Sequence, residues 1–131
     1  MALTLRQMMD GANAQVEQVG VERAQELLSE GALLLDVRDA PELDANGHAS
    51  VAHHVPRGML EFRADPQSAF HDPMMDPARP VVLYCASGAR AALAGKLLKD
   101  MGYEQVYNMG GFNEWKEAGA PVVEPLDRGM M

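Results

Sequence analysis

Cysteine is nearly missing from this sequence: Cys85 is the only one in 131 residues. An internal disulfide is therefore impossible, and so is a structural zinc site built from several thiolates. Long apolar runs are missing too. The longest, around Ala32 to Leu35, is far too short to cross a bilayer. Met1 to Gly20 carries Arg6, Asp10 and Glu17 and has no apolar stretch of the signal-peptide kind, so the cytoplasm is the expected location. Basic residues are scarce: 11 Lys and Arg stand against 19 Asp and Glu, a formal net charge of −8. Nucleic-acid binding needs the opposite balance, because phosphate contacts supply most of its affinity. Small anionic substrates stay open, since a pocket can be locally positive on an acidic protein.

What is present suits one ordinary domain. An apolar share of 47% over 131 residues is enough for a single core. Residues 1–15 are polar without a clear period and read as an arm, either mobile or folded into a short helix. The domain is expected over 16–123, with 124–131 as a tail. Val16 to Val19 alternates like a weak edge strand, and Val21 to Ser29 has helical spacing closed by Gly31. Ala32–Val37 and Val81–Tyr84 are continuous apolar runs, as in strands buried on both faces. Asp39 and Glu42 fit a capping box. Residues 89–101 form an apolar helical stripe, closed by Gly102 and interrupted by Gly95, which implies close packing there. Val106–Tyr107 suits a short strand, Gly110–Gly111 a turn, and Phe112 to Ala118 a last helix. Strands alternating with helices predict an α/β domain with a parallel sheet and helices on both faces. Ligands of such sheets lie beyond the carboxyl ends of the strands. From Arg57 to Pro80 the rhythm fails: Pro66, Pro73, Pro77 and Pro80 punctuate a long connection in which Met59, Leu60 and Phe62 suit one docked helical turn.

The chemistry concentrates after Tyr84. Cys85-Ala86-Ser87-Gly88-Ala89-Arg90 runs from a strand into a helix N-terminus. Small side chains let this backbone curl and turn its amides toward one point. The helix end and Arg90 add positive charge, so the centre of the loop favours an anion, and the nearest candidate is the Cys85 sulfur. Thiolates attack where thiols do not. The same donors would hold a second sulfur attached to Cys85. The bland alternative is a cysteine acting as a small core hydrophobe.

The ordered motifs resemble those of a single-domain bacterial rhodanese over about residues 16–123. They are Leu34-Leu35-Asp36-Val37-Arg38, Glu42 with Gly47-His48, and His54-Val55-Pro56-Arg57-Gly58. The Tyr84–Arg90 loop follows, then Met101-Gly102-Tyr103, Asn108-Met109-Gly110-Gly111-Phe112 and Trp115. The resemblance implies a rhodanese-like fold with a central parallel sheet of about five strands. It implies a sulfurtransferase in which Cys85 forms a persulfide. Ala86, Ser87, Gly88, Ala89 and Arg90 would hold sulfur and substrate, while Asp36 and Arg38 brace the strand ends. A small donor such as thiosulfate and a cyanide, thiol, thioredoxin-like or sulfur-carrier acceptor would be the partners, without cofactor, nucleic acid or membrane. Two other readings are a binding module with little turnover and a phosphatase or arsenate reductase. Related phosphatases have five residues between cysteine and arginine; here there are four. Many thiosulfate-using members carry a base directly after the cysteine, where this chain has Ala86.

The histidines invite a metal reading. If Val51 to Val55 is a strand, His53 and His54 face opposite sides and do not converge on one ion, so no metal site is expected. His48 suits a turn hydrogen bond, Trp115 a core anchor, and Met74–Met75 gap fillers.

Overall fold

A computed structural model describes residues 2–125. The elements in chain order are α1 (Leu5–Gln15), β1 (Glu17–Gln18), α2 (Val21–Ser29), β2 (Leu33–Asp36), α3 (Ala40–Asn46), β3 (His48–Ala49) and β4 (His53–His54). A 3₁₀ turn (Arg57–Met59) and α4 (Leu60–Ala64) follow, then β5 (Val81–Cys85), α5 (Ala89–Asp100), β6 (Val106–Gly111), α6 (Phe112–Glu117) and β7 (Val122–Val123). β1, β6, β5, β2 and β4 lie side by side in that order as one five-stranded parallel sheet. β3 and β7 form a small antiparallel pair.

Successive side chains on a strand face opposite sides, and here that alternation builds two cores. Leu33, Leu35, Val81, Leu83 and Cys85 face one way and pack with Leu60, Ala64, Ala91, Ala94 and Leu98 from α4 and α5. Leu34, Val82 and Tyr84 face the other way and pack with Ala24 and Leu27 of α2 and Phe112 and Trp115 of α6. After β2 the chain moves outward to β4; after β5 it moves the other way to β6. The connections thus part between the carboxyl ends of β2 and β5, where open α/β sheets bind ligands.

The polar opening segment is the helix α1. Thr4 and Gln7 form a capping box at its start, with Gln7 N–H donating to Thr4 Oγ1 at 3.1 Å. Three expectations change. Gly110 and Gly111 end strand β6 rather than making a separate turn: β6 is longer than the apolar pair Val106–Tyr107 because a bulge opposite Leu83–Tyr84 absorbs the extra residue. The strand expected over Val51 to Val55 shrinks to His53–His54, with a turn before it. In the long connection Leu60 docks as expected and Met59 packs beside it, joined by Ala64, but Phe62 faces solvent and meets the exposed Phe70 edge to face. The same connection returns Met75 to the core, whereas Met74 stays outside. His53 pairs with Asp72, so this segment is tied to the sheet edge as well as packed on it. Tyr103 O–H donates to the Ala64 carbonyl at 2.8 Å, and burial pushes this phenol up to about 12, with Asp76, Asp72 and Asp65 adding to the shift. Among the described residues no helix is long and apolar enough to cross a membrane. The expected tail beyond residue 125 lies outside the described residues.

Gly95 shows why a poor helix former sits mid-helix in α5. A Cβ there would lie 2.9 Å from Val16 Cγ2 and 3.2 Å from Val106 Cγ1, both short branched side chains with little room to yield. Glycine to alanine in a helix ordinarily gains about 1 kcal/mol, and overpacking costs about 1–3 kcal/mol. Gly95→Ala is therefore expected to destabilise the protein, read as a lower urea midpoint. A raised midpoint would show that the contact yields.

Candidate active site

The loop between β5 and α5 curls because its residues are small. Gly88 has φ +99°, the left-handed region that costs other residues strain. A Cβ at that position would lie 3.1 Å from Gly110 Cα, so two backbones touch here. The Cys85 side chain points into the curl. Its Sγ accepts the Gly88 N–H at 3.0 Å and the Ala91 N–H at 3.4 Å. The residue is 1% exposed. Two amides and the first turn of a 12-residue helix thus converge on one buried sulfur, an environment that favours negative charge there. Ala86, Ser87 and Ala89 are exposed on the rim and Gly88 is buried beneath them. The Ala91 amide is a donor that the sequence reading missed; a helix N-terminus leaves its first amides free, so the first turn of α5 was the place to look.

Arg90 does not point its guanidinium at the sulfur as a free cation. It makes a two-pronged pair with Glu42 of α3: Nη1 donates to Oε2 and Nη2 to Oε1, both at 2.8 Å. Glu42 Oε2 also accepts the Asp39 N–H at 2.9 Å, at the start of α3. The Arg90 hydrogen bonds hold the Glu42 carboxyl down at about 2, against the opposing effect of burial. Glu42 in turn raises Arg90 above its ordinary value. Much of the positive charge of the loop is therefore balanced before any substrate arrives.

On the opposite face of the sheet a polar bracket locks the strand ends. Arg38 is 1% exposed. Its Nη2 donates to Asp36 Oδ2 at 2.8 Å and to the Gly47 carbonyl at 2.9 Å, and its Nε to Asp36 Oδ1 at 3.1 Å. The guanidinium carbon lies 4.7 Å from the Phe112 ring centre and 5.4 Å from that of Tyr84. Tyr84 O–H donates to Asp36 Oδ2 at 2.6 Å and accepts the Ala49 N–H at 3.1 Å. Burial, then Asp36, push the Tyr84 phenol well above its ordinary value. Burial works against the Arg38 charge, and the Asp36 carboxylate more than offsets it, so its pKa is raised. Asp36 and Arg38 thus stand behind the loop, on the face away from the sulfur.

Asn108 of β6 completes the frame. Its Nδ2 donates to the Gly88 carbonyl at 3.0 Å, and its Oδ1 accepts the Gly110 N–H at 2.8 Å. It is buried, and a polar side chain inside an otherwise apolar strand was the available signal. His53 bonds Asp72, His54 Nε2 lies 2.6 Å from the Arg38 carbonyl, and His48 Nδ1 lies 3.2 Å from the Ala49 carbonyl, so the histidines diverge.

Two hollows flank the loop. One, about 450 Å³, is lined by Ser87 to Ala89, Asn108, Glu114 and the α1 residues Met9 and Asn13. The other, about 320 Å³, meets Ala86, Arg38, Asn46, Phe112, Asn113 and Lys116. The sulfur lies buried under amide donors, in a loop that hollows flank on two sides.

The chain matches the family model of the rhodanese-like domain over residues 20–118. It is 32% identical to the thiosulfate sulfurtransferase GlpE of Actinobacillus succinogenes over 103 residues, 77% of this chain and 85% of that protein. A protein of unknown function from Rhodopseudomonas palustris, described as a possible tyrosine phosphatase, superposes with a TM-score of 0.84 at 35% identity, over 94% of this chain and 96% of that one. The polysulfide-sulfur transferase homodimer of Wolinella succinogenes superposes with a TM-score of 0.71 at 35% identity, over 92% and 87%. The chain belongs to the rhodanese-like family, as a sulfurtransferase of the rhodanese type.

Proposed function

We propose that Cys85 carries the transferred sulfur as a persulfide. The observation that supports this most is the pair of amide hydrogen bonds from Gly88 and Ala91 to Sγ in a nearly solvent-free ring. In the first half-reaction the Cys85 thiolate attacks the outer sulfur of a donor of the thiosulfate type. A Cys85 S–S bond forms, the S–S bond of the donor breaks, and the bonding pair leaves with sulfite. In the second, cyanide or a thiolate attacks the terminal sulfur, and the pair returns to Cys85 as thiolate. Each step conserves charge and needs no outside oxidant. Amides and a helix end stabilise both the thiolate and the persulfide anion, so one ring serves both halves. The acceptor is a small nucleophile or the cysteine of a thioredoxin-like or sulfur-carrier protein. The reading places the chain in the cytoplasm, where a lone thiol stays reduced between turnovers.

The likeness to a possible tyrosine phosphatase favours a second reading, phosphoryl transfer through the same loop. Two features speak against it. Only four residues separate Cys85 from Arg90, a tight ring for a tetrahedral oxyanion. The Arg90 guanidinium, which such a reaction would aim at phosphate, is engaged by Glu42.

Three outcomes are expected. With thiosulfate and cyanide the wild-type protein should form thiocyanate, and after donor alone its intact mass should rise by one sulfur atom; Cys85→Ser should do neither. Failure of both signals with several sulfur donors would remove the persulfide. Hydrolysis of p-nitrophenyl phosphate should stay at background for both proteins, and a Cys85-dependent rate would favour the second reading. The third outcome concerns Glu42, whose folded value of about 2 lies below its ordinary 4.5. A depressed carboxylate stabilises the fold above its unfolded value, and that stabilisation fades as pH falls through the folded value. The urea-midpoint difference between wild type and Glu42→Gln should thus be full above about pH 4.5 and shrink toward zero near pH 2. A difference that does not change with pH would mean that the fork with Arg90 adds nothing to folding.

A further inference from the structure

The two hollows beside the loop differ in charge. The larger presents the carboxylate of Glu114 and, among its described lining residues, no cation. The smaller presents Lys116 and, among its described lining residues, no carboxylate. Its other cation, Arg38, is buried and already committed to Asp36 and the Gly47 carbonyl. Lys116 is exposed and forms no ion pair among the described residues. Asn46 and Asn113 add amide donors to the same walls. The smaller hollow also meets Ala86, the residue after the sulfur, and Arg38, the second residue beyond β2. It therefore straddles the gap between β2 and β5 where this topology places a ligand. A small side chain at 86 leaves that floor open.

Resting on the sulfur-transfer reading, we infer that Lys116 is the specificity-determining cation for the sulfur donor, and that the hollow between Ala86 and Lys116 binds the oxyanion head of a thiosulfate-class anion. With Arg90 balanced by Glu42, the loop itself offers an incoming anion little uncompensated charge. A donor of this class carries its negative oxygens at one end and its transferable sulfur at the other. Lys116 and Asn113 hold the oxygen end while the sulfur end meets the loop at Ala86. Attack by Cys85 then releases the head as sulfite into the same hollow, where the cation holds the charge that the leaving group takes away. On the other side Glu114 repels the same anion, so the two walls sort ligands by charge. Lys116 touches the donor and leaves the acceptor half-reaction to the ring.

The test separates the half-reactions at low ionic strength, where an exposed charge is least screened. Lys116→Ala should raise KM for thiosulfate about tenfold, the scale of one lost charge-assisted contact, with kcat nearly unchanged. The rate at which cyanide discharges a preformed persulfide should not move. Lys116→Arg should stay near wild type, and adding Ala86→Lys to Lys116→Ala should recover most of the loss, because both side chains line one hollow. An unchanged KM in Lys116→Ala overturns the inference, and so does a parallel loss in the discharge step. Thiosulfate binding by calorimetry keeps the two readings apart. Cys85→Ser should bind it more tightly than Cys85→Ser/Lys116→Ala even if no turnover is found with the wild type. Equal binding, or none to either, refutes the role of Lys116 while leaving persulfide formation to be judged by mass.

Discussion

An arginine with 1% exposure holds the carboxyl end of the sheet together. Removing a guanidinium and a carboxylate from water costs several kcal/mol per ion, so such a pair survives only when the remaining donors and acceptors are met. Here they are met from every side. Asp36 takes the side-on contacts from Nε and Nη2, Gly47 closes the end of α3, Tyr84 adds a hydroxyl from β5, and Phe112 supplies its ring from the start of α6. Among the described residues no buried side-chain polar atom lacks a partner. The bracket thereby fixes β2, β5, α3 and α6 relative to one another at the edge where the loop must stand. Removing either charged partner would leave the other stranded in a dry interior, which is why this small network is demanding as well as rigid.

The alternation of β5 divides the labour. Tyr84 faces the bracket and Cys85 faces α5, one residue apart and on opposite sides of the sheet. A sulfur on the α5 face lies directly under the first amides of that helix, so the strand places it and the helix supplies the donors. Asn108 then ties the loop to β6 through the Gly88 carbonyl. The loop is held by neighbours on both flanks and has little need of its own side chains, which explains why alanine, serine and glycine suffice there.

Charge follows a similar economy. The acidic surface is not uniform around the loop: one carboxylate, Glu42, is engaged by Arg90, another, Glu114, lines the larger hollow, and Lys116 lines the smaller. An overall charge of −8 thus coexists with a locally positive approach.

Much of this was legible in the residues. The continuous runs at Ala32–Val37 and Val81–Tyr84 suited doubly buried strands, and the spacing within 89–101 suited a helix, although α5 buries Ala91, Ala94 and Leu98 rather than Leu93 and Leu97. The loop and its lone sulfur followed from residue size and spacing. The long connection was harder: Leu60 and Met75 were expected inward, but four prolines hid that Ala64 joins them and that Phe62 and Met74 stay outside, since no period survives in a segment held by scattered contacts. Gly110 and Gly111 read as a turn because a bulge is a property of two strands in register and leaves no mark on one of them. The partners of each charge were hidden for the same reason. Local chemistry, written in consecutive residues, determined the strands, the helices and the small-residue loop after Cys85. Which carboxylate meets Arg90, which carbonyl meets Arg38 and which lysine faces Ala86 were settled only when segments tens of residues apart were brought within hydrogen-bonding reach, because pairing energy depends on distance in space and the sequence records only distance along the chain.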